Sequence, residues 1–164
     1  MVKFQQNNCT IQKKIKALTI IDTATTWPEL VWAKTKSSFH VARLMEMHWL
    51  SWYPWPKVVV HDNGEFTGEE FQRLLQSYGC RAKATTVKNP QVNAIIEQMH
   101  LKMGNMLHTT KFSGENWEEE IQVILQTTAW ALCSTIHTTA GYTPGQMAFS
   151  RDMIMQMRVN VNWQ

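Results

Sequence analysis

The sequence is poor in the residues that staple or interrupt small folds. Its 164 residues hold three cysteines, Cys9, Cys80 and Cys133. None lies in a CxxC pair or at a His/Cys ligand spacing, which disfavours a disulfide framework and a structural zinc and fits a reducing compartment. No apolar run approaches the roughly 20 residues a membrane span needs, so no membrane partner is expected. The opening Met1 to Asn8 has no apolar signal core. Glycine (7) and proline (5) are sparse, and no Gly/Ser linker, repeat or low-complexity tract divides the chain, so one domain is expected. No acidic residue precedes Asp22, and only five arginines (Arg43, Arg73, Arg81, Arg151, Arg158) stand beside eight Trp and ten Met. A net charge of +3 and an isoelectric point near 8.8 permit a polyanionic partner without demanding one.

What is present reads as an ordinary globular chain, 44% apolar and 18% charged, large enough to bury a core. Ile15–Asp22 and Glu29–Lys34 read as two strands of a hairpin, with Thr23 to Pro28 as the turn. From Ser38, apolar residues at Val41, Leu44, Met45 and Trp49 recur at helical spacing behind a serine cap. Lys57–His61 is a short continuous apolar run, the pattern of a strand buried on both faces. Thr67-Gly-Glu-Glu70 reads as a capping box opening a helix that stops at Gly79. Arg81–Thr86 could form a further strand. Asn89-Pro90 caps a helix to about Leu107; a long helix runs from Asn116-Trp117 to about Cys133, and Thr143-Pro144 opens a last short one with Met147 and Phe149 inward. Strands followed by several helices predict an α/β layer fold, a central sheet with helices packed on it.

Two carboxylates stand where such folds place chemistry. Asp62 follows the apolar run, and strand ends at a sheet edge are common ligand sites. Asp62-Asn-Gly64 is equally strong turn chemistry. Glu97 stands 35 positions further on, beside apolar Ala94 to Ile96, where a solvated helix glutamate is the plainer reading. Folded together, the two could bind hard divalent cations through oxygen. A pair of such ions activates a water or a 3′-hydroxyl and stabilises the leaving oxygen in phosphodiester displacement.

Three segments in order, Val59-Val-His-Asp62-Asn-Gly-Glu-Phe66, Thr85-Thr-Val-Lys-Asn-Pro-Gln-Val-Asn-Ala-Ile-Ile-Glu97 and Thr139-Ala-Gly-Tyr-Thr-Pro-Gly-Gln-Met-Ala-Phe-Ser-Arg151, resemble the integrase core of Gypsy-type LTR retrotransposons and retroviruses. The resemblance covers about residues 15 to 158. It implies a ribonuclease H-like fold and a D,D,E triad with about 35 residues between its last two members. The implied activity is 3′-end processing and strand transfer of DNA with Mg²⁺ or Mn²⁺. Carried over, Asp62 and Glu97 are catalytic metal ligands, Asn93 and Lys88 approach DNA, and Leu101 and Gly104 stand where the family carries basic residues. Asp22 is the second candidate for the first aspartate. Its surroundings, Leu18 to Trp27, resemble the family's second strand, so the catalytic aspartate would belong on a strand about twenty residues earlier, where Lys3 stands.

The same resemblance divides the chain into a remnant of the first strand or loop (1–14), the catalytic core (15–158) and a tail (159–164). It implies DNA and further copies of the chain as partners, in the nucleus or a cytoplasmic retroelement particle. Without a first aspartate the alternative is a catalytically dead remnant that binds DNA or dimerises. Trp55, Gln98, His108 and Cys133 stand where relatives carry arginine, as deamination of CpG in arginine codons would leave them, which motivates reading the chain as a decayed copy. Sibling copies encoding the same four residues would remove that idea. The aromatic segment His48–Pro56 reads as cover for one end of the core, with base stacking or a dimer face as the alternatives. Glu118 to Glu120 read as a solvated first helical turn.

Overall fold

The computed structural model describes residues 2–6, 9–13, 15–85, 99–101, 103–105, 116–137 and 140–153. Among the described residues, six strands form three ladders of two. β1 (Val2–Gln6) and β2 (Cys9–Lys13) make an antiparallel hairpin with Val2 opposite Lys13 and Gln6 opposite Cys9. β3 (Ala17–Ile21) and β4 (Pro28–Trp32) make a second, with Ala17 opposite Trp32. β5 (Val58–His61) and β6 (Arg81–Ala84) run parallel, Val58 opposite Arg81. Between them lie α1 (Ser38–Met45), a π-helical turn at Glu46–Leu50, a 3-10 turn at Glu65–Thr67 and α2 (Glu69–Ser77). Helical residues 99–101 and 103–105 follow, then α3 (Trp117–Ser134) and α4 (Pro144–Phe149).

Alternation along the strands sorts side chains into two layers. Leu18 and Val31 face α1 and α2, joining Val41, Met45, Phe71 and Leu75 in one core, and Val59 of β5 packs on the same cluster. One helical layer therefore covers both the β3–β4 and the β5–β6 ladder. Leu30 points the other way, onto Ile121 and Leu125 of α3, with Ala17 and Trp32 alongside. The Gln122 side chain accepts from the Trp32 amide at 3.2 Å and pins α3 to β4.

Two contacts fix the relative direction of the ladders. Lys36, just past β4, lies 3.6 Å from Glu65, just past β5. At the opposite end the Trp27 indole, in the β3–β4 turn, donates to the Tyr53 hydroxyl ahead of β5 at 3.2 Å. β5 thus runs with β4 and against β3.

Three local expectations change. The apolar run at β5 is covered on one face: Val58 and Val60 are 39% and 40% exposed, because α1 and α2 cover the Val59 side and no described element covers the other. Thr67 does not cap α2. It lies in the 3-10 turn with its hydroxyl donating to the Gly64 carbonyl at 2.8 Å, and the cap comes from α1, where Ser38 Oγ accepts from the Phe71 amide at 3.2 Å. This borrowed cap needs close approach: a Cβ on Gly68 would lie 2.3 Å from Ser38. The capping box is realised at α4 instead, between Thr143 and Gln146. That helix buries its first turn, Pro144 and Gly145, while Met147 is half-buried and Phe149 is exposed, resting edge-on against Trp27.

Candidate active site

Asp62 leaves the C-terminal end of β5 and is exposed. Its carboxylate makes no hydrogen bond or ion pair among the described residues, while its carbonyl is held by the ring of His61. His61 is buried, and its Nδ1 lies 2.7 Å from the Asp62 carbonyl. A carbonyl only accepts, so Nδ1 carries the proton and Nε2 is left to accept from the Gln72 amide at 3.4 Å. Gln72 also donates to the Phe66 carbonyl at 2.7 Å, and Phe66 stacks on His61 while Phe71 meets it edge-on. The turn closes through Gly64 at φ +91°, a left-handed conformation that favours glycine. Ring, amide and turn hold the Asp62 backbone and leave its carboxylate free. His61 and Gln72 were not singled out from sequence; an isolated His eleven residues of chain away from its Gln partner carries no local pattern.

Asp62 opens onto a cleft of about 540 Å³ that runs between β3 and β5 and is also lined by Thr85, His100 and Met103. The Thr85 amide and hydroxyl both donate to the His61 carbonyl, at 2.7 and 3.1 Å. His100 meets the Thr19 hydroxyl of β3 at 3.3 Å. Lys88, Asn93 and Glu97 lie outside the described residues, in the segment that departs from Thr85 and returns at His100. Both of its ends therefore stand on the cleft that Asp62 faces.

Asp22 is at the far end of the sheet, past β3, where the strand directions put the β3–β4 turn. Its carboxylate accepts from the Thr25 amide at 3.0 Å and the Thr25 hydroxyl at 2.6 Å, and from the Ala24 amide at 3.4 Å. The structure does not bring Asp22 and Asp62 together: a strand of four or five residues, roughly 13–17 Å, separates the two ends. Among the described residues no three His, Cys, Asp or Glu side chains converge to hold a metal ion. Among the described residues at this strand end, Asp62 and Glu65 carry the carboxylates, hard oxygen donors of the kind Mg²⁺ takes, and Glu65 lies 3.6 Å from Lys36. Leu101 is exposed.

The turn end carries the perturbed groups. Tyr53 donates to Glu29 and also accepts from Trp27; burial and the Glu29 carboxylate push its hydroxyl well above the ordinary phenol range. Burial, with Glu29 adding charge, pushes the Cys133 thiol up to about 12. These values describe a packed, acid-bearing corner rather than an activated nucleophile. In the aromatic segment, Trp49 is buried, whereas Trp52 and Trp55 are exposed with their indoles donating to the Met47 and Leu50 carbonyls.

Two ladders under one helical layer, with α3 behind, give the chain the ribonuclease H-like α/β fold of integrase catalytic cores. The solved structures that share it include the catalytic core domain of BIV integrase, at 16% identity and TM-score 0.64 over 83% of this chain and 91% of that one. The HTLV-2 integrase catalytic core in complex with magnesium, in a trimeric form, matches at 15% identity and TM-score 0.59 over 89% of this chain and 90% of that one. A simian T-cell lymphotropic virus intasome in complex with a PP2A regulatory subunit matches at 16% and 0.67 over 93% of this chain and 53% of that chain. No protein-family model and no curated protein matches the sequence.

Proposed function

We propose that the chain is the core domain of a retroelement integrase of the Gypsy type, a DNA-binding polynucleotidyl transferase fold that works on element ends and a target duplex. One observation carries the reading: at the C-terminal end of β5, in a fold shared with integrase cores, Asp62 presents a carboxylate unengaged among the described residues to a cleft that Thr85 and His100, on either side of the Glu97 segment, also line. Asp62 and Glu97 would hold Mg²⁺ or Mn²⁺ through oxygen. When bound, such ions supply an activated oxygen nucleophile and charge stabilisation for the leaving oxygen. The chain's own part is positional. His61 and Gln72 hold the Asp62 backbone, Thr85 ties the start of the Glu97 segment to the same strand end, and Asn93 and Lys88 would meet DNA phosphates beside it. Further copies of the chain would complete the assembly on DNA.

A second reading, a DNA-binding remnant without turnover, is favoured by Asp22. Its carboxylate is spent on its own turn at the far end of the sheet, so the described residues supply no first aspartate. An end-joining assay with Mn²⁺, run beside a duplex-binding titration, separates the two. Joining that Asp62→Asn and Glu97→Gln abolish and Asp22→Asn leaves intact supports the transferase. Duplex binding without joining supports the remnant, and the absence of both removes each reading.

A further inference from the structure

We propose that Trp52 and Trp55, with Lys57 and Arg81 beside them, form a stacking platform for an unpaired nucleic-acid strand, apart from the Asp62 cleft. The aromatic segment His48–Pro56 divides in two. Trp49 and Tyr53 pack in the core shared with α1 and α2, which accounts for them as cover. Trp52 and Trp55 do not follow. They are 78% and 61% exposed, so burial gives no reason for either ring to be held.

Both are held nonetheless. The Trp52 indole N–H donates to the Met47 carbonyl and the Trp55 indole N–H to the Leu50 carbonyl, each at 2.9 Å. The two acceptors belong to one helical turn, Glu46–Leu50, and stand three residues apart. Positions three apart on a helix are neighbours, which places the two indole nitrogens within roughly 12 Å of each other. Tyr78 packs at right angles to Trp55 at 5.0 Å. With both N–H groups taken up by backbone, what the rings offer outward is π surface, fixed before any ligand arrives. Nucleobases stack on such surfaces whatever their sequence, because every base has a π face.

Charge selects the partner. Lys57 follows Trp55 by two residues, and its carbonyl accepts from the Arg81 amide at 3.0 Å, so the two stand side by side where β5 and β6 begin. Both are exposed, and neither makes an ion pair among the described residues. Lys83, two residues along β6, is exposed on the same face as Arg81. The acids in contact with this end are occupied: Glu46 accepts from the Tyr78 hydroxyl at 3.0 Å, and Glu29 from that of Tyr53. Protein–protein interface centres are depleted of lysine, whereas rings interleaved with free cations suit bases joined by phosphates. Asp62 leaves the opposite end of β5, roughly 13 Å away along the strand, so the platform stands apart from the end-joining reading.

The test titrates the full chain against a labelled oligothymidylate of about 12 nucleotides and an abasic strand of the same length. Trp52→Ala with Trp55→Ala is expected to weaken oligothymidylate binding at least about tenfold and to leave abasic binding where it was. Trp52→Phe with Trp55→Phe keeps a ring at each place and should recover most of the loss. Lys57→Gln and Arg81→Gln should each lower the slope of log affinity on log salt by about 0.7. Equal affinity for the two strands, an alanine chain that binds like the parent, or a parent that binds neither strand overturns the platform. So does dependence on these rings of binding to phosphatidylserine vesicles, or of self-association, in place of strand binding. If the alanine chain loses its far-ultraviolet circular dichroism, the phenylalanine chain and the abasic comparison decide. A chain that stacks the oligonucleotide through these rings yet joins no DNA ends keeps the platform and fails only the transferase reading.

Discussion

The β3–β4 and β5–β6 ladders are both short and two-stranded, and each has one strand rich in β-branched residues, β3 and β5, yet they are buried to different depths. β3–β4 is enclosed, with α1 and α2 on one face and α3 on the other, so Leu30 and Val31 are buried on opposite sides of one strand. β5–β6 has cover on one face only, and all of β6 is exposed. Burial here follows where helices land, and strand composition only permits it. The exposed ladder is also the one that carries Asp62, so the enclosed ladder supplies stability and the open one supplies access.

Substitutions across the two ladders should break this contrast if it is false. Leu30→Ala removes a side chain packed between β4 and α3 and is expected to cost about 2–5 kcal/mol in denaturant unfolding. A loss below about 1 kcal/mol would mean that α3 does not cover the sheet. Gly68→Ala comes next. Its Cβ would meet Ser38 at 2.3 Å, so α2 must move off α1 and lose the Ser38 cap, at about 1–3 kcal/mol. Partial recovery with Ser38→Gly in the same chain, which clears the collision without returning the cap, would identify the collision rather than a change in helix propensity.

The third expectation concerns pH at the enclosed end. Burial pushes the Cys133 thiol from its ordinary value near 9 up to about 12 in the folded chain. Its contribution is complete below about pH 9 and is lost as pH rises from 9 towards 12, because the unfolded state gives up its proton first. Tyr53 is shifted in the same direction and steepens the fall above about 10. Thermal midpoints should therefore decline over that window, less so in Cys133→Ser. At pH 8, alkylation of Cys133 should be at least about a hundredfold slower than that of a free thiol. Labelling at the free-thiol rate would show that this corner is open.

Sequence patterns that act locally carried most of the fold. The β3–β4 hairpin, α2 ending at Gly79, α3 from Trp117 and the Thr143 cap all rest on chemistry within a few residues. What escaped was supplied from elsewhere in space. Thr67 has the right sequence for a cap, but Ser38 reaches the Phe71 amide first and Thr67 turns to Gly64. The apolar run at β5 promised two covered faces because composition records what a strand can bury and not what arrives to bury it. The two aspartates show the same limit. Asp62-Asn-Gly looks like a turn acid, yet it is Asp22, in Asp-Thr-Ala-Thr, that spends its oxygens on the following amides. The role of His61 depends on Gln72 and two phenylalanines, none within four residues of it. Lys88, Asn93 and Glu97 were legible as a motif, and the described residues reach only the two ends of their segment.

The smallest expected effect sharpens the comparison most. Val60→Thr alters a side chain that is 40% exposed on the uncovered face of β5, and should change stability by less than about 0.5 kcal/mol. Val59→Thr, one residue away on the same strand, alters a side chain packed on the helical layer and should cost about 1 kcal/mol or more, since a hydroxyl replaces a methyl among buried groups. Equal losses at the two positions would mean that both faces of β5 are covered alike.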